Sequence, residues 1–131
     1  MEDSDWFPYI FSSKSGKPTG IQVDIVEHAL KTQKIDYSFE MLPWKRCLDY
    51  VKRGIFDACI GASHSEDRAD YMTYPEGARE AAQNSSRAKF RIAQSDYVVV
   101  NLKKQEFEFD GDLSKIPTPV YIPMGFSIAK T

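Results

Sequence analysis

Apolar positions recur with a helical period over residues 21–34, where Ile21, Ile25 and Ala29, flanked by Val26 and Leu30, fall on one face. Asp24 and Glu27 occupy its early turns and Lys31 and Lys34 its last, an order the helix dipole favours. Residues 35–41, I-D-Y-S-F-E-M, alternate apolar and polar and predict a half-buried strand. Pro43 then opens a second helix with an inward stripe of Trp44, Cys47, Leu48 and Val51, and Arg53-Gly54 closes it. The short apolar run Ala58-Cys59-Ile60, between Gly54 and Gly61, suits a strand buried on both faces.

Before this block, W-F-P-Y-I-F (residues 6–11) is aromatic but broken by Pro8, which predicts an extended stretch and at best an edge strand. Residues 12–20 are turn chemistry throughout. Past Arg68 the pattern thins. Residues 71–75 read as extended, and residues 76–91 are polar, lack a period and read as a long loop. D-Y-V-V-V-N-L (residues 96–102) predicts a strand, Asp110-Gly111 a turn, residues 119–123 a short strand, and residues 125–129 the start of a further helix. Helices alternating with strands predict an α/β fold, a mixed, mostly parallel sheet flanked by helices, in one domain.

Composition narrows the function classes. The 131 residues carry 42% hydrophobic and 27% charged side chains, ordinary for a globular protein with a proper core. A formal net charge of -2, with no Lys/Arg run longer than two residues, Lys103-Lys104 among them, gives no nucleic-acid footprint. The apolar stretches are too short to span a bilayer, and no charged-then-apolar leader precedes Trp6. The expectation is a periplasmic protein whose export signal has been trimmed, or otherwise a cytoplasmic one. Cys47 and Cys59 match no zinc or redox spacing and read as core thiols, with a disulfide between them as the alternative for an exported protein.

Candidate chemistry concentrates in D-A-C-I-G-A-S-H-S-E-D-R, residues 57–68. Ser65 before Glu66-Asp67-Arg68 reads as an N-cap with acids in the first turn of a short helix. A strand ending in small polar residues and opening a helix gathers amides, the hydroxyls of Ser63 and Ser65, and Arg68. That set suits a small anion, a carboxylate most of all. The alternative is a solvated loop in which Arg68 merely pairs with Asp67 or Asp70. His64 beside Ser63 suggests a hydrolase, but no G-x-S-x-G elbow accompanies it, and His28 reads as a surface residue. Two histidines without a clustered carboxylate or thiolate give no metal site, and no cofactor is implied.

The motif order resembles bacterial extracellular solute-binding protein family 3, the polar amino-acid type, with a type II periplasmic binding fold. W-F-P-Y, G-K-P-T-G-I-Q-V-D-I-V, L-P-W-K-R-C-L-D-Y-V-K-R-G, I-F-D-A-C-I-G-A-S and S-E-D-R-A-D-Y-M-T-Y-P occur in the family's order from residue 6 to about residue 75. A weaker match runs through D-Y-V-V-V to P-M-G-F-S-I. The resemblance implies that residues 6–95 form a first lobe and residues 96–131 a crossover strand and the start of a truncated second lobe. It implies that Arg68 clamps a ligand carboxylate and that Ser63 assists it. Gly61 would offer a carbonyl to an ammonium, Trp6 and Trp44 would be aromatic walls, and Ser127 a second-lobe hydroxyl. Trp44 alternatively belongs to the core, since it shares a stripe with Leu48 and Val51.

The resemblance implies that family members close two lobes on their solute, whereas the expectation for this sequence is one lobe and a stub. The expected activity is therefore non-catalytic, weak binding of an amino acid or related carboxylate. A membrane permease or a sensor is the implied partner, and a homodimer or swapped oligomer is expected to supply the missing wall. Two alternatives belong to other classes. One is an interaction module that has lost transport; the other is a dehydratase-like enzyme on the same carboxylate site, with Glu66, Asp67 and Asp70 as candidate acids.

Overall fold

The structure is a computed structural model, and it describes residue 1 and residues 5–84, 88–94, 97–104, 106–122, 126 and 128. The chain divides into two units, Met1–Gln94 and Ser95–Thr131.

In the first unit the aromatic stretch is a tight turn rather than an extended segment. Trp6 N–H donates to the Ile10 carbonyl at 2.7 Å, while Tyr9 and Ile10 N–H return to the Trp6 carbonyl at 2.8 and 3.0 Å. The turn residues that follow fold into a hairpin: β1 (Phe11–Ser12) pairs antiparallel with β2 (Pro18–Thr19). That hairpin is the one sheet among the described residues, so the expected mostly parallel sheet is not seen there.

Helix α1 (Ile21–Thr32) has no side-chain cap. Its first free donors are satisfied by the aromatic turn instead, Ile21 N–H by the Pro8 carbonyl at 3.0 Å and Gln22 N–H by the Tyr9 carbonyl at 3.1 Å. This packing demands glycine at Gly20, where φ is 121° and a Cβ would lie 2.9 Å from the Pro8 oxygen and closer still to Tyr9.

The face α1 buries is rotated from the expected one. Gln22 and Val23 are buried, with Val26 and Leu30 half-buried, whereas Ile21 and Ile25 remain 49% and 45% exposed. Apolar residues occupy most of this helix's circumference, so periodicity alone did not select the row that meets Ile10. The core is Met1, Ile10 and Val23, with Phe39, Met41 and Ile60 packed against it.

Helix α2 (Trp44–Lys52) follows Pro43 as expected, with Cys47 fully buried. Between the helices, Tyr37, Phe39 and Met41 turn inward and Ser38 and Glu40 outward, so the alternation holds, yet residues 35–41 pair in no described ladder. Ala58-Cys59-Ile60 likewise lies in no described strand, and Ala58 is exposed. The two cysteines are joined, correcting the free-thiol expectation: Cys47 and Cys59 form a disulfide with a Cα–Cα separation of 6.7 Å.

Helix α3 (Glu66–Ala69) begins at Ser65, although the Ser65 hydroxyl donates to Asp67 at 2.9 Å rather than capping a backbone amide. Residues 76–91 are not wholly loop, because A-R-E-A-A-Q forms helix α4 (Ala78–Gln83). Its alanine-rich composition favours helix without any apolar period to announce it. Arg79 pairs with Glu66 at 3.0 Å, tying α4 to α3.

Among the described residues of the second unit, Leu113–Lys115 form a 3₁₀ turn opened by Asp112, whose carboxylate accepts from Ser114 N–H at 3.0 Å. The expected strand over residues 96–102 forms no described ladder, with Val98 77% and Val100 85% exposed. Residues 119–122 also lie outside any ladder. A β-branched run becomes a strand only when a neighbour supplies hydrogen bonds. The expected final helix falls largely outside the described residues.

Helices α1 and α2 end in the same way. Ile35 N–H reaches the Leu30 carbonyl at 3.0 Å and Lys34 N–H the Lys31 carbonyl at 3.1 Å; Ile55 and Gly54 repeat this on Tyr50 and Val51 at 2.8 and 3.0 Å. The left-handed residue is Gly54 in α2 but Lys34, with φ 57°, in α1. Lys34→Gly should therefore stabilise the protein by roughly 1 kcal/mol, and Gly54→Lys should cost a similar amount. Denaturant unfolding of both variants checks the pair.

Candidate functional site

The short α3 carries Arg68 inward, leaving it 3% exposed. A buried guanidinium needs acceptors, and the chain just before α3 supplies them. Arg68 Nη1 donates to the Ser63 carbonyl at 2.9 Å and to Ser63 Oγ at 3.3 Å. The opposite wall comes from α2, where the Trp44 ring centroid lies 5.5 Å from Arg68 Cζ, a cation–π approach. Arg68, Ser63 and Trp44 thus converge. Ser63 itself is exposed, so its side chain marks the solvent edge of the cluster.

Tyr74, which no sequence pattern singled out, and His64 join it. Tyr74 Oη donates to the same Ser63 carbonyl at 3.0 Å, and the His64 ring lies edge-on to Tyr74 with centroids 5.0 Å apart. The signal was present in T-Y-P, just beyond α3, but an aromatic after a short helix has no spacing rule that points it back. Burial raises the Tyr74 phenol above its usual value, and the charge of Arg68 and its hydrogen bond partly oppose this.

The other expected residues stand elsewhere. Gly61 faces the α1 side of the core: a Cβ there would lie 3.0 Å from Gln22 Oε1 and 3.6 Å from Ile10 Cδ1. Trp6 is 41% exposed and packs at a tilt against Tyr9, ring centroids 4.9 Å apart, and no described hydrogen bond or ring contact links it to Arg68. Ser127 lies outside the described residues. No group of three or more metal-ligating side chains occurs among the described residues.

The profile of the bacterial extracellular solute-binding proteins, family 3, matches residues 2–109. The chain belongs to this family. No curated protein and no solved structure gives a significant match. Membership makes the chain a solute-binding domain in the general sense, from a family of generally non-enzymatic binding proteins that are typically extracellular or periplasmic. The family's fold is the type II periplasmic binding fold. No described helix is long and apolar enough to cross a membrane.

Burial of the Tyr74 phenol makes part of the cluster's stability depend on pH. Because the Tyr74 phenol is raised in the folded state, its contribution is complete below the ordinary tyrosine value of about 10 and is lost as pH rises through the raised value. Tyr74→Phe should cost about 1 kcal/mol at neutral pH, for one hydrogen bond. The stability curves of the wild type and the variant should converge at high pH, and denaturant unfolding measured from pH 7 to 11 checks both.

Proposed function

We propose that this domain captures a small polar solute through its carboxylate, an amino acid or a related organic acid, at Arg68 and Ser63. The observation carrying this reading is the convergence of a buried guanidinium, a hydroxyl and an indole at residues matched by the family profile. A guanidinium shielded from water acts through a lower effective dielectric and attracts an anion more strongly than a surface cation does. Trp44 supplies an apolar wall. Gly61 offers a carbonyl for a ligand ammonium and Trp6 a second wall. On this reading residues 6–95 are the first lobe and residues 96–131 the crossover and the start of the second.

The binding is non-catalytic and serves a transporter permease or a sensor. The Cys47–Cys59 disulfide favours an oxidising compartment, consistent with the periplasm. With one charge-assisted contact as the main polar anchor, worth about 1.5–3 kcal/mol, affinity is expected at roughly millimolar or weaker. Exposed Ile21 and Ile25 on one side of α1 favour a second reading, self-association of two copies, which sedimentation at high concentration tests.

Thermal melting in the presence of polar amino acids and short organic acids should shift upward for the wild type. Arg68→Lys keeps the charge but loses the fork and should weaken binding by about ten- to a hundredfold. An unchanged melting temperature with every such solute would remove the carboxylate reading.

A further inference from the structure

We propose that the Cys47–Cys59 disulfide is a positioning crosslink for the binding site: it holds the Trp44 indole against the Arg68 guanidinium, and opening it weakens solute capture while the fold persists. The inference rests on the carboxylate-binding reading of Arg68, Ser63 and Trp44.

Two elements must be held together for the cluster to exist. One is α2, which carries the indole; the other is the segment before α3, which carries the Ser63 carbonyl and hydroxyl. Cys47 stands three residues after Trp44 on α2, so the two side chains are neighbours on one helix surface. Cys59 stands four residues before Ser63 in the other element. The bond between them closes a circuit: Trp44, Cys47, Cys59, Ser63, Arg68 and back to the indole through the 5.5 Å cation–π approach.

Among the described residues, backbone pairing does not supply this tether. The described residues of the segment around Cys59 and Ser63 lie in no strand, and the described ladder is the β1–β2 hairpin. Cys47 is fully buried, so its sulfur fixes a point inside the domain rather than at its surface. By contrast, the Arg68–Ser63 contact spans five residues and does not pass through the crosslink. Opening the bond therefore acts on the indole wall first.

Reduction with a dithiol tests this. The disulfide takes up two electrons and two protons to become two thiols, and the dithiol becomes a cyclic disulfide. The chain has two tryptophans, so a Trp6→Phe background leaves Trp44 as the one indole reporter. In that background reduction should red-shift Trp44 emission and increase its quenching by acrylamide, with the far-UV helix signal retained. In the protein with both tryptophans, titrated with the amino acid giving the largest melting shift, reduction should raise the Kd about tenfold. Reoxidation should restore both signals, and a Cys47→Ala, Cys59→Ala double variant should match the reduced protein.

Trp44 emission that does not move on reduction overturns the proposal. So does loss of the far-UV signal together with the emission change, because the bond would then be a staple of the whole fold. Failure of every solute to shift melting of the oxidised protein overturns the binding reading instead, and the Trp44 signal separates the two failures.

Discussion

A guanidinium withdrawn from water is the most demanding constraint in this structure. Burying a cation costs several kcal/mol unless fixed acceptors replace its hydration. Arg68 is 3% exposed, so the neighbouring chain is bound to supply them. Its dependence on the Ser63 carbonyl and hydroxyl fixes the path of the chain entering α3. Tyr74 Oη reaches the same carbonyl from beyond α3, so the segments on both sides of the helix are drawn to one oxygen. The indole face of Trp44 adds a wall that accommodates positive charge without an acceptor atom.

The helices were legible where a local signal wrote them. Pro43 and Gly54 mark the ends of α2 in the sequence, and the structure places a start and a Schellman-type close there. Residues 37–41 kept their inward and outward alternation because side-chain facing depends only on the local chain. What failed was pairing. A strand is a statement about a neighbour, and neither Ala58-Cys59-Ile60 nor Val98-Val99-Val100 names one. Residues 11–19 show the reverse: turn chemistry concealed a hairpin whose strands are two residues each, too short for alternation to register. The wrong face of α1 has a related cause, since Ile21, Val23, Ile25 and Val26 together leave too little polar contrast to choose among them.

Within the candidate cluster, legibility follows distance along the chain. Arg68 and Ser63 are five residues apart, and an N-cap at Ser65 is enough to bring them together. Trp44 is far away in sequence, and its placement beside Arg68 came from family resemblance rather than from any spacing rule. Trp6 packs its ring at a tilt against Tyr9 in the turn that closes the N-terminus of α1. Its ring serves the packing of residues 6–10, a role to which the motif W-F-P-Y is equally suited.

This division has a physical consequence. The polar half of the cluster is encoded by one short stretch and persists wherever α3 forms. The apolar half is encoded by tertiary placement, because an indole on α2 reaches the guanidinium only if α2 sits at the right depth and rotation. Depth comes from Cys47, fully buried on that helix, and rotation from the three-residue spacing that puts it on the same helix surface as Trp44. A change in core packing would therefore move the wall before it disturbs the charge. Under the proposed carboxylate-binding role, discrimination among solutes is thus coupled to the interior of the domain, while attraction for an anion is not.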